Sequence, residues 1–282
     1  MYAYLLGRWL SQAALGINLE SDRVYQGDVL KHLQALRLLV FRDLQIRYAG
    51  TWLGYLWSLL DPLFMSLIYW LVFTVILGAR GVGEQPYLLF LLAGILPWVW
   101  LASSLNDSSR ALITENRLVR SIALPRALWV IKSITAKAME FIFALPILIG
   151  LTIIFGKSVT WELLWFPVAF ILQYLLLVGI GLLLAPLTVL ARDMKNIIRL
   201  VVRLGFYLTP IIYSVSDVPA QGQFLSYLNP MTGIVTLYRA GFWPQGTEIL
   251  YPLLSAVLWA LGLFALGLFL FKKIEATVLK EV

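Results

Sequence analysis

The stretch 87-YLLFLLAGILPWVWLASSL-105 decides the fold class, because it runs for 19 residues without a charged side chain. A helix rises about 1.5 Å per residue and the hydrocarbon core of a bilayer is about 30 Å thick, so about 20 apolar residues span a membrane. The stretch therefore predicts a transmembrane helix. With five further stretches of the same character it gives six predicted spans, at residues 56–77, 87–105, 128–155, 163–190, 197–213 and 250–271.

The composition agrees with a membrane protein. Of 282 residues, 61% are hydrophobic and 13% are charged, whereas an average soluble domain has about 45–50% apolar and about 25% charged residues. The net charge is +7, but the basic residues lie beside apolar runs, which favours a membrane over nucleic acid as the partner. The chain has no cysteine and one histidine, His32. These counts exclude a disulfide framework, a Cys/His zinc site and a cysteine nucleophile.

The basic residues fall on one side of the predicted topology. The loops after spans 1, 3 and 5 contain only Arg80, Lys157 and Arg239 among the 22 Lys and Arg residues. The other 19 lie in the N-terminal segment, around the loops after spans 2 and 4, and in the C-terminal tail. Because positive loops stay in the cytoplasm, both termini are predicted to be cytoplasmic.

Residues 28–48 carry an amphipathic pattern. Their apolar residues recur every three or four positions and form one helical stripe of Val29, Leu33, Leu36, Val40 and Leu44. The opposite side carries the polar residues Lys31, His32, Gln34, Arg42, Asp43 and Arg47. This pattern predicts a helix in the cytoplasmic headgroup layer before the first span. The alternative is a cytoplasmic helix packed on a partner.

The outer loop at residues 214–249 is long but not polar. Its apolar stretches of about 10 residues are too short to span a membrane, and Pro219, Gly222 and Asn229 separate them. The loop therefore predicts short re-entrant helices, which persist at membrane depth only inside protein or beside a wet cavity. Such helices indicate a pathway mouth on the outer side. The alternative is a small external cap with no gating role.

No motif in the chain indicates catalysis. The segment 150-GLTIIFGKS-158 is close to a phosphate-binding loop, but five residues separate its glycines where that motif has four. Glu140 stands nearly alone inside a span, where a proton or ion site would need several partners. Its pairing with Lys137 or Arg126 near the cytoplasmic surface is the favoured interpretation.

Aromatic side chains are abundant around spans 1, 2 and 5. Most are expected in headgroup belts and in helix packing. A subset is expected to line a channel, where a flat amphipathic ring suits a sugar. The candidates are Tyr55, Trp57, Tyr69, Phe73, Phe206, Tyr207 and Tyr213.

Three groups of motifs resemble type-2 ABC export permeases. The segments 42-RDLQIRY-48, 53-LGYLW-57 and 61-DP-62 resemble the start of the first span in that family. The segment 115-ENRLVR-120 through 124-LPR-126 is similar to the cytoplasmic loop between spans 2 and 3. The second half is similar to the polysaccharide-exporting branch, through the motifs 192-RD-193, 209-TPIIY-213, 218-VP-219, 228-LNP-230 and 238-YR-239.

The sequence and this resemblance together predict an all-α polytopic membrane protein. It has six transmembrane helices, an N-terminal amphipathic interface helix, and short re-entrant external helices between spans 5 and 6. The resemblance implies a type-2 ABC transporter transmembrane domain at residues 28–282 after an N-terminal cytoplasmic extension at residues 1–27. It also implies a homodimer in the bacterial inner membrane that binds two copies of a cytoplasmic ATP-binding subunit. That subunit would bind ATP and magnesium, and this chain would hold no cofactor.

The resemblance assigns functional residues to three sets. The ATPase-coupling set is Glu115, Asn116, Arg117, Leu118, Arg120, Leu124, Pro125 and Arg126. The interface-helix set is Lys31, Arg42, Asp43 and Arg47. The external-gate set is Pro219, Tyr227, Asn229, Pro230 and Tyr238.

The implied function is export of a lipid-linked polysaccharide, such as an O-antigen, a teichoic acid, a capsule or a cell-wall galactan. The chain itself is expected to be a transport subunit and not an enzyme. A type-2 ABC exporter of a small hydrophobic molecule or a lipid is the main alternative. A secondary carrier and a polytopic membrane enzyme are further alternatives, which the scarcity of carboxylates and histidines in the spans disfavours.

Overall fold

The computed structural model describes residues 21–48, 54, 56–78, 82–115, 118, 124–191, 193–243 and 249–281. Side chains are described for residues 31–47 of the first helix and as far as residue 274 of the last. Nine α-helices and no strands occur in this described part. They are α1 (Ser21–Tyr48), α2 (Leu56–Trp70), α3 (Tyr87–Thr114), α4 (Ala127–Ile154), α5 (Trp165–Leu190), α6 (Met194–Leu208), α7 (Ala220–Ser226), α8 (Pro230–Ala240) and α9 (Leu250–Glu281).

Five helical segments in the described part are long and apolar enough to cross a membrane. They are Leu56–Ile76, Tyr87–Thr114, Ala127–Ile154, Trp161–Leu190 and Leu250–Ile274. The first continues α2 through a π-helical turn, and the fourth begins with a 3₁₀ turn before α5. A helix satisfies its own backbone hydrogen bonds, which a bilayer requires. Five of the predicted spans are thus confirmed as apolar helices, although α3 continues past residue 105 to Thr114.

The predicted span at residues 197–213 is not confirmed. This segment contains most of α6, whose 15 residues extend about 22 Å at 1.5 Å per residue, less than the bilayer core of about 30 Å. The helix ends at Leu208, and Thr209 is extended with φ −88° and ψ 139°. Thr209 precedes Pro210, and a proline disfavours the helical conformation in the residue before it. The predicted span at residues 197–213 therefore combines a short helix with the apolar turn that follows it.

Helix α3 forms the centre of the bundle, because most of its side chains are buried. It packs against α4 and α5, and α5 packs along α9. The α5–α9 contact is close: a Cβ atom on Gly267 would lie 2.3 Å from the carbonyl oxygen of Gly179. Small residues let the backbones of two apolar helices approach closely. Such close packing stabilises helix association in a membrane, because lipid provides no hydrophobic driving force for it. Much of α2 and α9 is exposed at the sides of the bundle.

Helix α1 lies against α4. Val40 and Leu44 of the predicted stripe are buried on Ala136, and Leu36 and Met139 pack around them. Leu33 is exposed. The stripe therefore packs on another helix of this chain from residue 36 onward. Helix α1 begins at Ser21, earlier than the helix predicted at residues 28–48. The predicted start of the transmembrane domain at residue 28 stays a prediction.

The loops meet at one end of the bundle, which we call the loop end. The amide of Gly83 donates a hydrogen bond to Asp217 at 2.9 Å, and the indole of Trp243 donates one to the carbonyl of Gln85 at 2.8 Å. The amide of Thr160 donates one to the carbonyl of Gly241 at 3.1 Å. Helices α7 and α8 lie in the predicted outer loop, so its short helices are confirmed, while their depth in a membrane stays a prediction.

Candidate functional site

A buried lysine joins three helices at the opposite end of the bundle, which we call the charged end. Lys132 of α4 pairs with Asp43 of α1 at 3.0 Å and also with Glu115 at the end of α3. Arg42 of α1 binds the second oxygen of Glu115 at 2.9 Å. The Lys132 side chain is 4% exposed. Displacement of Glu115 would therefore change contacts of both α1 and α4.

A second group of ion pairs lies one turn further along α1. Arg47 donates to Asp107 of α3 at 2.8 Å and approaches Glu140 of α4 at 3.4 Å. Lys137 pairs with Glu140 at 2.8 Å and lies 3.7 Å from Asp107. Arg110 lies 3.7 Å from the other oxygen of Asp107. The Lys137–Glu140 pair confirms the structural interpretation of Glu140.

Burial makes these groups depend on one another. Burial lowers the pKa of Arg47, but nearby carboxylates, Asp107 foremost, raise it more, so its pKa lies above its ordinary value. Lys132 and Lys137 are almost fully buried at the side chain. Removing one partner of a buried ion pair leaves an uncompensated charge and costs about 3–5 kcal/mol. The ion pairs of Lys132 and Lys137 are therefore expected to hold α1, α3 and α4 together at the charged end.

The structure brings together four predicted residues from two sets. Glu115 of the coupling set lies with Arg42, Asp43 and Arg47 of the interface-helix set in this network. Lys31 is exposed near the start of the described side chains. Asp107 and Lys132 also belong to this network but to none of the predicted sets. Both are charged residues at the ends of apolar helices, and that position is the signal that would have identified them.

The other coupling residues lie beside the network or outside the described residues. Leu118 is half-buried against the hydrophobic core. Leu124 and Arg126 are half-buried and Pro125 is exposed. The carbonyl of Pro125 accepts a bond from the amide of Leu128 at 2.9 Å, in the turn that begins α4. Asn116, Arg117 and Arg120 lie outside the described residues, so their role stays a prediction.

Some of the predicted channel aromatics pack against one another. The ring of Phe206 stacks on Tyr69 with centroids 5.6 Å apart and meets Trp98 edge-on at 6.0 Å. Phe73 lies 6.5 Å from Tyr69 and from Tyr87. These rings join α2 and α6 to α3.

The remaining channel candidates have different surroundings. Trp57 and Tyr207 are 52% and 60% exposed. Tyr213 is half-buried, and its hydroxyl lies 3.3 Å from the carbonyl of Leu208. Tyr55 lies outside the described residues.

The predicted gate residues surround the turn that follows α6. Pro219 precedes α7, and Pro230 is the first residue of α8. Asn229 caps α8 by accepting from the amide of Met231 at 3.0 Å, and its amide group donates to Thr209 at 2.8 Å.

The two gate tyrosines face different surroundings. The carbonyl of Tyr227 accepts a hydrogen bond from Ser255 of α9 at 2.8 Å. Tyr238 is fully buried, with its ring 4.6 Å from that of Phe166 and 5.6 Å from that of Phe141.

Arg239 is a further residue that the motif analysis did not assign to a site. It is 7% exposed. It donates to the carbonyls of Pro210 and Ile211, both at 2.7 Å, and to that of Phe90 at 3.0 Å. Its guanidinium also lies 3.5 Å from the centroid of the Phe90 ring. Arg239 thus binds the turn after α6 to α3, and its partners in the described residues are carbonyl groups and a ring rather than carboxylates.

Comparisons with known proteins agree on one family. The family model described as "ABC-2 type transporter" matches residues 34–243. The O-antigen export system permease protein RfbA of Myxococcus xanthus is 29% identical over 230 residues, which cover 79% of this chain and 87% of the relative. A protein of the same name from Klebsiella pneumoniae is 28% identical over 85% of this chain and 92% of the relative. The polysialic acid transport protein KpsM of Escherichia coli is 24% identical over 86% and 93%. Because the family model covers most of its length, this chain belongs to the ABC-2 type transporter family.

Proposed function

We propose that this chain is the membrane-spanning permease subunit of an ABC transporter that exports a lipid-linked polysaccharide across the bacterial inner membrane. The observation that carries the proposal is similarity over 79–86% of the chain to proteins named for O-antigen export and polysialic acid transport. The five apolar helices provide the membrane-spanning body of such a subunit.

Energy for transport would come from a partner. In this proposal two copies of the chain form a homodimer and bind two cytoplasmic ATP-binding subunits, which hold ATP and magnesium. The chain carries no cofactor and performs no catalysis. Exposed apolar side chains on α2 and α6, among them Phe64, Ile68, Leu200 and Leu204, offer a surface for lipid or for the second copy.

The ion pairs of the charged end would carry the movement. Residues 115–126 contact the ATP-binding subunit in this proposal, with Asn116, Arg117 and Arg120 among the contacting residues. Glu115 is bound to both Arg42 and Lys132, so a displacement of this loop would pull on α1 and α4 together. Ion pairs suit this role because they exchange partners between two discrete arrangements.

The charged end faces the cytoplasm in this proposal, and the loop end faces outward. Contacts among α1, the end of α3 and the start of α4 support this topology, because alternate helix ends must lie on one side. Helix α1 lies at the headgroup layer with Leu38, Phe41 and Ile46 exposed toward lipid. Helices α7 and α8 would form the external gate, and residues 1–27 would precede the transmembrane domain.

Purification from the native cell tests the proposal. The tagged chain in mild detergent should bring down a P-loop ATPase in equal amount. Cells depleted of the chain should accumulate glycan inside the inner membrane and lose it from the surface. A chain that purifies alone, or a depleted strain with normal surface glycan, would contradict the proposal. Loss of a small hydrophobic compound from the medium would instead favour the alternative substrate class.

A further inference from the structure

A polar cavity of about 190 Å³ opens between α2, α3 and α4. We call it the polar cavity, and the residues that matter for its chemistry are Trp57, Ser58, Asp61, Trp100, Lys137 and Glu140. It adjoins the ion pairs of the charged end, because Lys137 and Glu140 belong to both. Two larger grooves of about 650 Å³ are lined almost wholly by apolar side chains and suit lipid chains. The polar cavity differs from these grooves because charged and polar side chains are among its lining residues.

Three groups around the cavity are available to a ligand. Trp100 is 2% exposed, and its indole N–H has no hydrogen-bond acceptor among the described residues. One oxygen of Glu140 accepts no hydrogen bond among the described residues, and the Nε of Arg47 lies 3.4 Å from it. Asp61 is exposed, and its carboxylate has no partner in the described part of the chain. Buried polar groups normally have a partner, so the indole N–H of Trp100 and the unbonded oxygen of Glu140, which line one cavity, indicate a polar ligand. The exposed carboxylate of Asp61 adds an acceptor at the same cavity.

The charges favour a hydroxyl-bearing ligand over an anion. Lys137 is neutralised by Glu140 at 2.8 Å and by Asp107 at 3.7 Å. Three charged side chains line the cavity, and Lys137 and Glu140 offset each other, so the carboxylate of Asp61 is the remaining charge. It repels a phosphate and accepts hydrogen bonds from hydroxyl groups. Trp57 lines the cavity, and 52% of its surface is exposed. An exposed indole provides a flat apolar face for the C–H side of a sugar ring.

We propose that the polar cavity binds one sugar ring of the exported glycan, with Asp61 accepting hydrogen bonds from its hydroxyls and Trp57 packing on its C–H face. The volume accommodates a single ring. This inference rests on the proposed function and extends it, because it assigns a glycan subsite at the charged end, where the chain would first meet its substrate.

The absence of cysteine from the chain gives a direct test. Ser58→Cys places a single thiol at the cavity, and Ser216→Cys places a control thiol on an exposed loop at the other end. Each variant is assembled with a hydrolysis-deficient ATP-binding partner in native membranes, and co-purification checks the assembly. The labelling rate with N-ethylmaleimide is compared between cells that make the glycan and cells blocked in glycan synthesis.

Glycan should slow labelling of Ser58→Cys several-fold and leave Ser216→Cys unchanged. Adding Asp61→Ala should weaken the protection about tenfold, the effect of losing a hydrogen bond to a charged group. Asp61→Asn keeps an acceptor oxygen and should retain most of the protection. Asp61 is exposed, so neither change should disturb folding.

Two results would overturn the inference while leaving the proposed function intact. One is equal labelling of Ser58→Cys with and without glycan, in cells whose unmodified chain is still required for surface glycan. The other is protection by inorganic pyrophosphate, but not by glycan, which would make the cavity an anion site. Failure of the proposed function looks different, because surface glycan would then persist without the chain.

Discussion

The charged end and the loop end bind their helices together with different chemistry. At the charged end, side chains of opposite charge on α1, α3 and α4 pair with one another, and Asp107 alone meets three cations. At the loop end, Arg239 binds the carbonyls of Phe90, Pro210 and Ile211. A carbonyl is fixed to its backbone, whereas a long charged side chain can exchange one partner for another.

This difference predicts which end can move. Ion pairs act over several ångströms and tolerate changes of geometry, so the charged end can adopt a second arrangement in which its charges stay paired. Hydrogen bonds weaken steeply as their angles change, so the turn after α6 should stay attached to α3. The contrast fits a permease in which an ATPase moves the charged end while the core of the loop end remains intact.

The largest effect is expected at Arg239. Arg239→Met keeps much of the side-chain volume but leaves three carbonyls without their donor, so it should reduce the free energy of unfolding by about 5 kcal/mol. Thermal unfolding in mild detergent measures the loss. Arg203→Met makes the same chemical change at an exposed site on α6 and should have little effect. Equal stability of the two variants would contradict the fixed attachment at the loop end.

Lys132 gives the next largest effect. Lys132→Met removes the cation that pairs with Asp43 at 3.0 Å and should cost about 3 kcal/mol, because a half-buried carboxylate loses its ion-pair partner in the described part of the chain. Adding Asp43→Asn removes that charge and should restore part of the stability, although permease-stimulated ATP hydrolysis by the partner should stay low. Lys273→Met on the exposed surface of α9 is the control. Full stimulation in the double variant would show that this pair does not transmit the movement.

The sequence predicted the apolar helices well and the short ones less well. Five spans follow from length and hydropathy, because lipid requires continuous helices. The sixth is not confirmed: hydropathy stays high past Pro210 through the apolar turn, but the helix ends at Leu208. Helical periodicity also predicted the stripe of Val40 and Leu44, while its partner Ala136 could be found only from the fold.

The candidate sites likewise contain residues that the sequence predicts and residues that only the fold reveals. The amphipathic pattern beside a span predicts the basic face of α1, and the family resemblance assigns Arg42 and Arg47 to the interface-helix set. The structure places both residues in the ion pairs. Arg239 was counted as an external-loop cation. Its burial depends on how α8 folds back onto α3, a contact between residues 149 positions apart. No local pattern in the sequence specifies such a contact.

A smaller effect is expected where α8 begins. Asn229→Ala removes the cap on Met231 and the bond to Thr209, and should cost about 1–2 kcal/mol. Thr209→Val removes the second bond together with the hydroxyl's own bond to the carbonyl of Gly205. It leaves the cap on Met231 in place and should cost less, because a hydroxyl bond back to the preceding helical turn adds little stability. Because the two changes share that bond, their effects should fall short of additivity when combined. Strict additivity in thermal unfolding would mean that the cap, and not the bond to the turn, supports the loop end.

The smallest effect on stability is expected at Arg42, and this residue gives the clearest test of the difference between the charged end and the loop end. Arg42 is 36% exposed at the side chain, and exposed ion pairs contribute about 0–1 kcal/mol, so Arg42→Gln should barely change global unfolding. Amide hydrogen exchange should nevertheless speed up in α1 and stay unchanged in α8. Raising salt from about 0.1 M to about 1 M shortens the screening length from about 10 Å to about 3 Å and should reproduce that pattern in the unmodified chain. Arg37→Gln, an exposed change on the same helix, serves as the matched control. Salt-dependent exchange in α8 as strong as in α1 would show that the loop end, too, depends on mobile charges, and the proposed division between a moving end and a fixed end would have to be abandoned.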